Sequence, residues 1–198
     1  GRMTGGFSIL DALYTLGFHA DNRPAFFRAE LEQFFLLARE QNWDVSKPKG
    51  SYAGAMGWPQ FMPSSYRRYA IDFDGDGRID LWNSAADVIG SVASYMREFG
   101  WKDGAPVVAP AIVDGDPAAL IGLGLTPEFT VAQWRMRGVE TKNPVDAALL
   151  AALFRLDLTD GPLFMLGFEN FHTILHYNRS RHYAMAVYEL ANEIEQER

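Results

Sequence analysis

Apolar residues in the first half of the chain recur at the three- and four-residue spacing of amphipathic helices. Ser8 is placed to cap a short helix over residues 9–16, with a stop near Gly17. A stronger helix is predicted to open at Asn22-Arg23-Pro24, because proline is tolerated in a first turn, and to run to Gln41. The phenylalanines of this second helix are expected in the core: Phe26, Phe27, Phe34 and Phe35.

Two more helices are predicted on either side of an acidic, glycine-containing stretch. Pro63-Ser64-Ser65 is a typical helix start and predicts a short helix over residues 66–70. Asn83 or Ser84 is expected to cap a longer helix, which Gly100 ends. The apolar positions of that helix predict its inner face: Val88, Ile89, Val92, Tyr95, Met96 and Phe99.

The pattern changes after Trp101, where prolines separate short apolar runs typical of strands. These runs cover residues 107–113, 149–158 and 162–168, with a turn predicted at Thr159-Asp160-Gly161 and a short helix over 130–137. A last helix is predicted from Ser180 to the end. We therefore predict an α+β, mainly helical fold in three parts: a core over 1–101, a small inserted β-rich domain over 102–166, and a return to the core over 167–198.

Composition narrows the classes of partner. The net charge is −7 and no basic cluster stands out, which argues against nucleic acid. No apolar run approaches the length of about 18 residues that a membrane span requires. The lack of cysteine excludes disulfides, thiolate nucleophiles and cysteine–zinc sites. The chain opens on Gly1 without a leader, so we interpret it as processed or truncated, with its targeting unreadable.

The stretch D-F-D-G-D-G-R-I-D has the spacing of a calcium-binding EF-hand loop. Asp72, Asp74 and Asp76 occupy the first three ligand positions, Gly77 the sharp turn, and Arg78 the position that offers a backbone carbonyl. Carboxylates this close repel one another unless a cation neutralises them. We predict a structural Ca²⁺ here; an acidic surface turn is the alternative.

The end of this loop departs from the EF-hand pattern. Asn83 stands where a bidentate glutamate is usual. Asp87, at the start of the next helix, is the candidate for the closing carboxylate, which would give a longer loop over 72–87 and weaker binding.

The segment K-G-S-Y-A-G-A-M-G-W-P-Q-F-M-P-S-S precedes the acidic loop and has the composition of a binding cleft. Its glycines allow a backbone to approach a ligand closely. Ser51 and Gln60 offer neutral hydrogen bonds of the kind that read sugar hydroxyls and acetamides, and Tyr52, Trp58 and Phe61 offer faces for stacking on sugar rings. A glycine-rich turn packed in the core is an equally open interpretation.

Three ordered motifs carry a resemblance to a known family. S-Y-A-G-A-M-G-x-x-Q-F-M-P-S-S, then D-F-D-G-D-G, then H-Y-N-R-S-R-H-Y-A resemble the B-type lytic murein transglycosylases, membrane-bound or soluble, of glycoside hydrolase family 103. The resemblance implies a goose-lysozyme-like helical core, an inserted β domain and an EF-hand-like calcium loop. It also implies cleavage of the β-1,4 bond between N-acetylmuramic acid and N-acetylglucosamine in peptidoglycan, leaving 1,6-anhydromuramoyl ends.

The resemblance also implies roles for individual residues. Ser51 resembles the serine that contacts the muramoyl N-acetyl group, and Gln60 resembles a glutamine that lines the same subsite. Trp58 lies where the family varies. Tyr95 resembles a tyrosine of the cleft. Tyr177 and Asn178 resemble residues near the catalytic acid, with Asn178, Tyr177 and Ser51 assisting the chemistry, and Tyr183 is a further candidate for the cleft.

The catalytic acid of the family is one glutamate in an E-x-x-Y-G motif, and the resemblance places it just before Gly1. The chain as given is therefore expected to be inactive, although its parent would be an enzyme. Glu30, Glu32 and Glu40 are interpreted as solvated helix charges rather than as substitutes. A calcium-braced saccharide-binding module that does not cleave is the alternative function, and a structural calcium protein is a third hypothesis.

Other predictions follow from the resemblance or from single residue types. The partners are expected to be peptidoglycan glycan strands, with other cell-wall enzymes as candidates, and the chain to be a monomer. The expected location is the periplasm, in soluble form or anchored by lipid to the outer membrane. His172, His176 and His182 lack the frame of a zinc site, so we predict a structural or cleft-lining role for them.

Overall fold

The computed structural model describes residues 4–197, and the chain divides into two compact units, Gly1–Tyr95 and Met96–Arg198. The first unit is mostly helical. It contains α1 (Ile9–Phe18), α2 (Pro24–Glu40), α3 (Pro63–Tyr69) and most of α4 (Ala85–Glu98), and its strand β1 (Phe7–Ser8) pairs antiparallel with β2 (Lys49–Gly50).

The predicted helix starts of the first unit are confirmed. The Ser8 side chain accepts a hydrogen bond from the Asp11 amide and caps α1. Pro24 and Pro63 stand in the first turns of α2 and α3, where a missing N–H costs nothing. α1 ends at Phe18, one residue past the predicted stop near Gly17. The Arg28 guanidinium donates to the Gly17 carbonyl at 2.8 Å, and a Cβ on Gly17 would lie 3.1 Å from the Arg28 side chain, so this glycine serves close helix packing.

Two predictions of buried faces are wrong in part. Phe34 is fully buried, but Phe35 is 48% exposed, because it lies about 100° around the helix from Phe34. On α4, Ile89 is 66% exposed, and the buried face instead follows Asp87, Gly90, Ser91 and Tyr95. Gly90 faces the Phe73 ring, where a Cβ would lie only 2.6 Å from it. The helix is turned so that a carboxylate and a glycine, rather than an isoleucine, meet the acidic loop.

The second unit contains a five-stranded antiparallel sheet in the order β4-β6-β7-β3-β5. The three predicted apolar runs form β3 (Val108–Val113), β6 (Leu150–Leu158) and β7 (Gly161–Gly167). The predicted turn joins β6 to β7, with Leu158 opposite Gly161 and a positive φ of 118° at that glycine. The sequence pattern did not predict β4 (Phe129–Thr130), β5 (Val139–Thr141) or the short helix α5 (Pro117–Ile121).

Helices also lie between the strands of this sheet in the chain and after the last of them. α6 (Val131–Arg135) is shorter than predicted and opens on a capping box between Thr130 and Gln133. Its Trp134 is buried and donates its indole N–H to the Ala151 carbonyl at 2.9 Å. α7 (Glu169–Tyr177) and α8 (Arg181–Gln196) follow β7, and the Phe171 ring stacks on Phe154 with centroids 4.5 Å apart. The predicted α+β, mainly helical class is confirmed. Among the helices of residues 4–197, none is long and apolar enough to cross a membrane.

Candidate functional site

The glycine-rich segment folds into a tight double turn closed by backbone pairs. Met56 pairs with both Gly50 and Phe61. The Ser51 hydroxyl oxygen accepts hydrogen bonds from the Ala53 and Ala55 amides at 3.2 and 3.0 Å. Because both of these bonds use the oxygen, the hydroxyl hydrogen of Ser51 stays available to a ligand.

Glycine is required at two positions of this segment. Gly54 has φ 81°, and a Cβ there would lie 2.5 Å from the Leu13 side chain. Gly57 has φ 64°, and a Cβ there would lie 2.5 Å from the Leu81 carbonyl oxygen. The Trp58 amide donates to the same carbonyl at 2.8 Å. These close approaches fix the segment against α1 and against the end of the acidic loop, which explains its composition without excluding a ligand.

Gln60 adopts a left-handed backbone conformation with φ 53°, which is uncommon for a residue with a Cβ. Its side-chain amide nitrogen donates to the Gly57 carbonyl at 2.9 Å and to the Thr4 carbonyl at 3.3 Å. Two carbonyl partners identify this end as the nitrogen, so the side-chain oxygen points away as a free acceptor. Gln60 is exposed and Trp58 half-buried, and both are therefore accessible at the edge of the segment.

Tyr95 lies below this edge in an aromatic cluster. It is 8% exposed, and its ring is 5.7 Å from Phe61 and 5.0 Å from Tyr69. Burial, with a smaller contribution from Tyr69, raises the pKa of Tyr95, so the phenol stays protonated at neutral pH. The structure thus brings Ser51, Trp58, Gln60 and Tyr95 to one region of the first unit, with Tyr95 as its buried member.

Tyr177, Asn178 and Tyr183 meet where α7 ends and α8 begins. The Tyr177 and Tyr183 rings are parallel, with centroids 6.3 Å apart. The Asn178 side-chain oxygen accepts from the Ser180 amide at 3.1 Å, and the Ser180 hydroxyl caps α8 through the Tyr183 amide. Burial raises the pKa of Tyr183. Asn178 is exposed and its side-chain nitrogen has no partner among the described residues, so that nitrogen is free to donate.

The acidic loop brings three of the predicted ligands together. One carboxylate oxygen from each of Asp72, Asp74 and Asp87 lies within 4.8 Å of the others, a spacing that suits a hard cation with oxygen ligands. Asp76 lies outside this group, and its carboxylate accepts from the Arg78 amide at 2.8 Å. Arg78 is predicted as a metal ligand only through its backbone carbonyl oxygen.

Asp87 is the buried carboxylate of this cluster, at 1% exposure. Burial acts to raise its pKa, but hydrogen bonds outweigh that effect and leave the pKa lowered. The donors include the amides of Phe73 and Asp80 at 2.9 and 2.8 Å. The Asn83 side-chain amide donates a hydrogen bond to the Asp80 carboxylate. Asp87 is therefore ionised and anchored across the loop, in the place where the sequence expected a closing ligand.

The interpretation of Glu30 as a solvated charge is wrong. Glu30 is 5% exposed, and its two oxygens accept from the Ser64 amide at 2.9 Å and the Ser64 hydroxyl at 2.6 Å. Glu32 is exposed, as expected. Glu40 forms a two-point ion pair with Arg67, and the side-chain hydrogen bond from Arg67 is the main cause of its lowered pKa. Both partnered carboxylates thus serve to hold α2 against α3.

The histidines form no metal cluster among the described residues. His172 and His176 stand edge to face at 4.8 Å, and His176 stacks on Phe99. Burial, then the neighbouring His172 and Arg179, lower the pKa of His176. His182 lies on exposed surface.

Comparison with known proteins gives a consistent family. The model of the transglycosylase SLT domain matches residues 1–192. The membrane-bound lytic murein transglycosylase B of Escherichia coli is 43% identical over 194 residues, which is 98% of this chain and 53% of that protein. The chain thus spans about half the length of this curated relative.

Solved structures agree with the sequence comparison. The lytic transglycosylase SltB1 of Pseudomonas aeruginosa superposes with a TM-score of 0.91 at 46% identity, over 99% of this chain and 65% of that one. Escherichia coli Slt35, determined in complex with calcium, gives a TM-score of 0.87 at 42% identity, over 100% of this chain and 62% of that one. These neighbours have a lysozyme-like fold, which confirms that part of the predicted fold class.

Proposed function

Because the chain belongs to the transglycosylase SLT domain family, we propose that it carries the glycan-binding region of a peptidoglycan-cleaving lytic transglycosylase. The family match across residues 1–192 is the observation that carries this proposal. The substrate is the peptidoglycan glycan strand, and the bond cleaved is the β-1,4 link between N-acetylmuramic acid and N-acetylglucosamine.

The reaction forms a 1,6-anhydromuramoyl end. A carboxylic acid protonates the glycosidic oxygen, the bond from C1 to that oxygen breaks, and the 6-hydroxyl of the same muramoyl unit attacks C1. The carboxylate then takes up the hydroxyl proton, so no water is consumed. One residue acts as acid and then as base, in contrast to the paired carboxylates of most glycosidases.

Ser51 and Gln60 suit an acetamide group. The Ser51 hydroxyl hydrogen is free to donate to the acetamide carbonyl, and the free side-chain oxygen of Gln60 is able to accept from the acetamide N–H. We assign both to the muramoyl N-acetyl group, with Trp58 as a neighbouring contact. Tyr95, buried beneath, supports Phe61 and through it the segment that carries Gln60.

The junction of α7 and α8 offers a second polar group of residues. The Asn178 amide nitrogen is the free donor there, and the paired rings of Tyr177 and Tyr183 hold the chain around it. We propose that Asn178, Tyr177 and Tyr183 contact the glycan near the acid, and that Asn178 assists the chemistry by orienting a proton-transfer partner.

The general acid is not assigned to Glu30, Glu32 or Glu40. Glu30 and Glu40 are occupied by Ser64 and Arg67, and Glu32 is an exposed helix charge. We therefore propose that this chain binds the glycan without cleaving it, and that the E-x-x-Y-G glutamate implied by the resemblance supplies the acid. A calcium-braced, non-cleaving saccharide-binding module is the second candidate, favoured by this same occupation of the carboxylates.

The acidic loop is proposed to hold a structural Ca²⁺. Asp72, Asp74 and Asp87 supply carboxylate oxygens, and Asp76 and the Arg78 carbonyl complete the predicted set. The ion would neutralise the repulsion among these carboxylates and brace the loop against α4. It takes no part in the chemistry.

We also propose that residues 102–166 are an insertion in the helical core. All but the last residue of the five-stranded sheet lie in that range. The chain is proposed to be a monomer that works in the periplasm, as a soluble or lipid-anchored form, and other cell-wall enzymes are candidate partners.

Two measurements on two proteins test the function. The 198-residue chain, and the same chain with an E-x-x-Y-G segment supplied before Gly1, are incubated with purified sacculi and analysed by chromatography for anhydromuropeptides. Chitotetraose binding is titrated in parallel. We expect both proteins to bind and only the extended one to release product. Robust release by the shorter chain would place the acid within it, and binding by neither protein would overturn the proposed function.

A further inference from the structure

A groove of about 1000 Å³ lies in the first unit, beside the start of the glycine-rich segment at Lys49. Its walls come from the end of α2 with the segment that follows it, and from the second half of the acidic loop. Neither the proposed glycan contacts Ser51, Trp58 and Gln60 nor the supporting Tyr95 is among the described residues that line it. The groove is therefore a separate candidate for binding.

Two tryptophans give the groove an aromatic wall. Trp43 and Trp82 stand edge to face with ring centroids 5.6 Å apart, and both contact the buried Tyr66. The Trp82 indole N–H donates to the Lys49 carbonyl at 3.1 Å, which fixes this ring across the groove. Both tryptophans are partly exposed and line the groove, so part of each side chain is accessible to a ligand.

The carboxylates that line the groove already have partners. Glu40 is paired with Arg67, a residue outside the lining. Asp44 accepts from the amide and hydroxyl of Ser46 at 3.0 and 2.7 Å. Asp80 accepts from the amides of Trp82 and Asn83. The charge of Glu40 is therefore balanced by Arg67, and the oxygens of Asp44 and Asp80 are occupied by neutral hydrogen-bond donors.

The cations of the groove are less engaged. Lys49 and Arg78 line it and are exposed, and neither side chain makes a hydrogen bond or ion pair with a described residue. Lys47 also lines it and lies near Asp44, whose pKa it helps to lower after the larger effects of the Ser46 hydrogen bonds. The groove therefore offers free positive charge beside an aromatic wall.

We propose that this groove binds an acidic peptide, with Lys49 and Arg78 contacting its free carboxylates and Trp43 and Trp82 contacting its apolar side chains. Hydrogen bonds from cationic side chains to carboxylates make such a site prefer an acidic peptide, and the aromatic rings supply contact area. Given the proposed function, on which this step rests, the peptide is the stem attached to the muramoyl unit. The groove then holds the substrate by a part remote from the glycosidic bond.

The probe is the free stem tetrapeptide, which carries its carboxylates but no sugar. Binding is followed by two-dimensional NMR, with the indole N–H signals of Trp43 and Trp82 as local reporters. The matched ligand is the same peptide with its carboxylates amidated. The variants are Lys49→Gln and Arg78→Gln, and Lys142→Gln, an exposed lysine of the second unit, is the control for simple loss of charge.

We expect the acidic peptide to shift the two indole signals and the amidated peptide to bind more than about fivefold more weakly. Each groove variant should weaken binding by about two- to fivefold, the range of an exposed ion pair, and higher salt should weaken it further. Lys142→Gln should change nothing. Equal binding of the amidated peptide, shifts confined to other residues, or unchanged affinity in both groove variants would overturn the proposal.

The outcome is separable from that of the proposed function. Chitotetraose carries no peptide, so its titration reports on the glycan contacts alone, and Lys49→Gln should leave that affinity unchanged. A chain that binds chitotetraose but not the acidic peptide would overturn the groove proposal and leave the function standing. A chain that binds the peptide but neither binds nor cleaves glycan would overturn the proposed function and leave the binding of an acidic peptide in the groove standing.

Discussion

Replacing Glu30 by alanine is expected to destabilise the first unit far more than an ordinary helix-surface change. The carboxylate of Glu30 caps another helix: α3 begins after Met62, which offers no side-chain cap, and the Ser64 amide in its first turn is bound by Glu30 from α2. A negative charge at a helix N-terminus is favourable, and this one is also buried.

The magnitude follows from the two hydrogen bonds, at 2.9 and 2.6 Å. A hydrogen bond to a charged group contributes about 1.5–3 kcal/mol, so the pair contributes about 3–6 kcal/mol. Removing the carboxylate also removes the cost of burying its charge, which places the expected loss near the lower end, at about 3 kcal/mol. In a chain of this size that loss lowers Tm by about 6–12 °C.

Urea unfolding followed by tryptophan fluorescence measures the free energy directly, and an unchanged m value would show that the two end states are the same. Glu32→Ala is the matched control, because Glu32 lies on the same helix and is exposed; its change should be within about 0.5 kcal/mol. A double-mutant cycle with Ser64→Ala should give a coupling energy of at least about 1 kcal/mol. If Glu30→Ala unfolds like Glu32→Ala, the assigned role of this carboxylate is refuted.

Calcium should raise Tm, and at a free calcium concentration of one hundred times Kd the gain in stability should be about 2.7 kcal/mol. Asp87→Asn should abolish most of that rise, and equal melting temperatures with calcium and with chelator would contradict the proposed ion. Tyr66→Phe should cost about 1–3 kcal/mol in urea unfolding, since it leaves the Ile79 carbonyl without the 2.6 Å bond from the buried phenol, and a cost below about 0.5 kcal/mol would contradict that role. Asn178→Ala, in the chain extended by the E-x-x-Y-G segment, should keep its melting curve and lower anhydromuropeptide release by about ten- to a thousand-fold, whereas near-normal release would remove Asn178 from the site.

The helix starts could be predicted from the sequence because each depends on a local signal. Ser8 caps its own helix three residues on, and Pro24 and Pro63 satisfy the first turn by their own geometry. The turn at Gly161 also depends on a local signal. Asp87 could be proposed as a ligand because it follows the acidic loop closely in sequence. None of these predictions required knowledge of distant parts of the chain.

The features that the sequence did not reveal are those that depend on distant partners. Glu30 looks like any helix glutamate until α3 is placed beside it, and nothing in the sequence near Gly17 shows that Arg28 packs against this glycine. Trp43 and Trp82 are far apart in sequence and share no motif, so the groove that they line has no signature in the pattern. Ile89 was misplaced because periodicity counts apolar residues, whereas the helix is oriented by the buried Asp87 and by the Gly90 contact with Phe73.

The short helix α3 is the element through which these distant contacts act together. It follows the glycine-rich segment directly, and its first turn is held by Glu30 of α2. Its Tyr66 binds the Ile79 carbonyl of the acidic loop, and its Tyr69 ring packs against Tyr95 of α4. Because this helix of about two turns contacts all three neighbours, a change that loosens α3 should disturb the acidic loop and the Gln60 region together, although it touches neither a metal ligand nor a glycan contact.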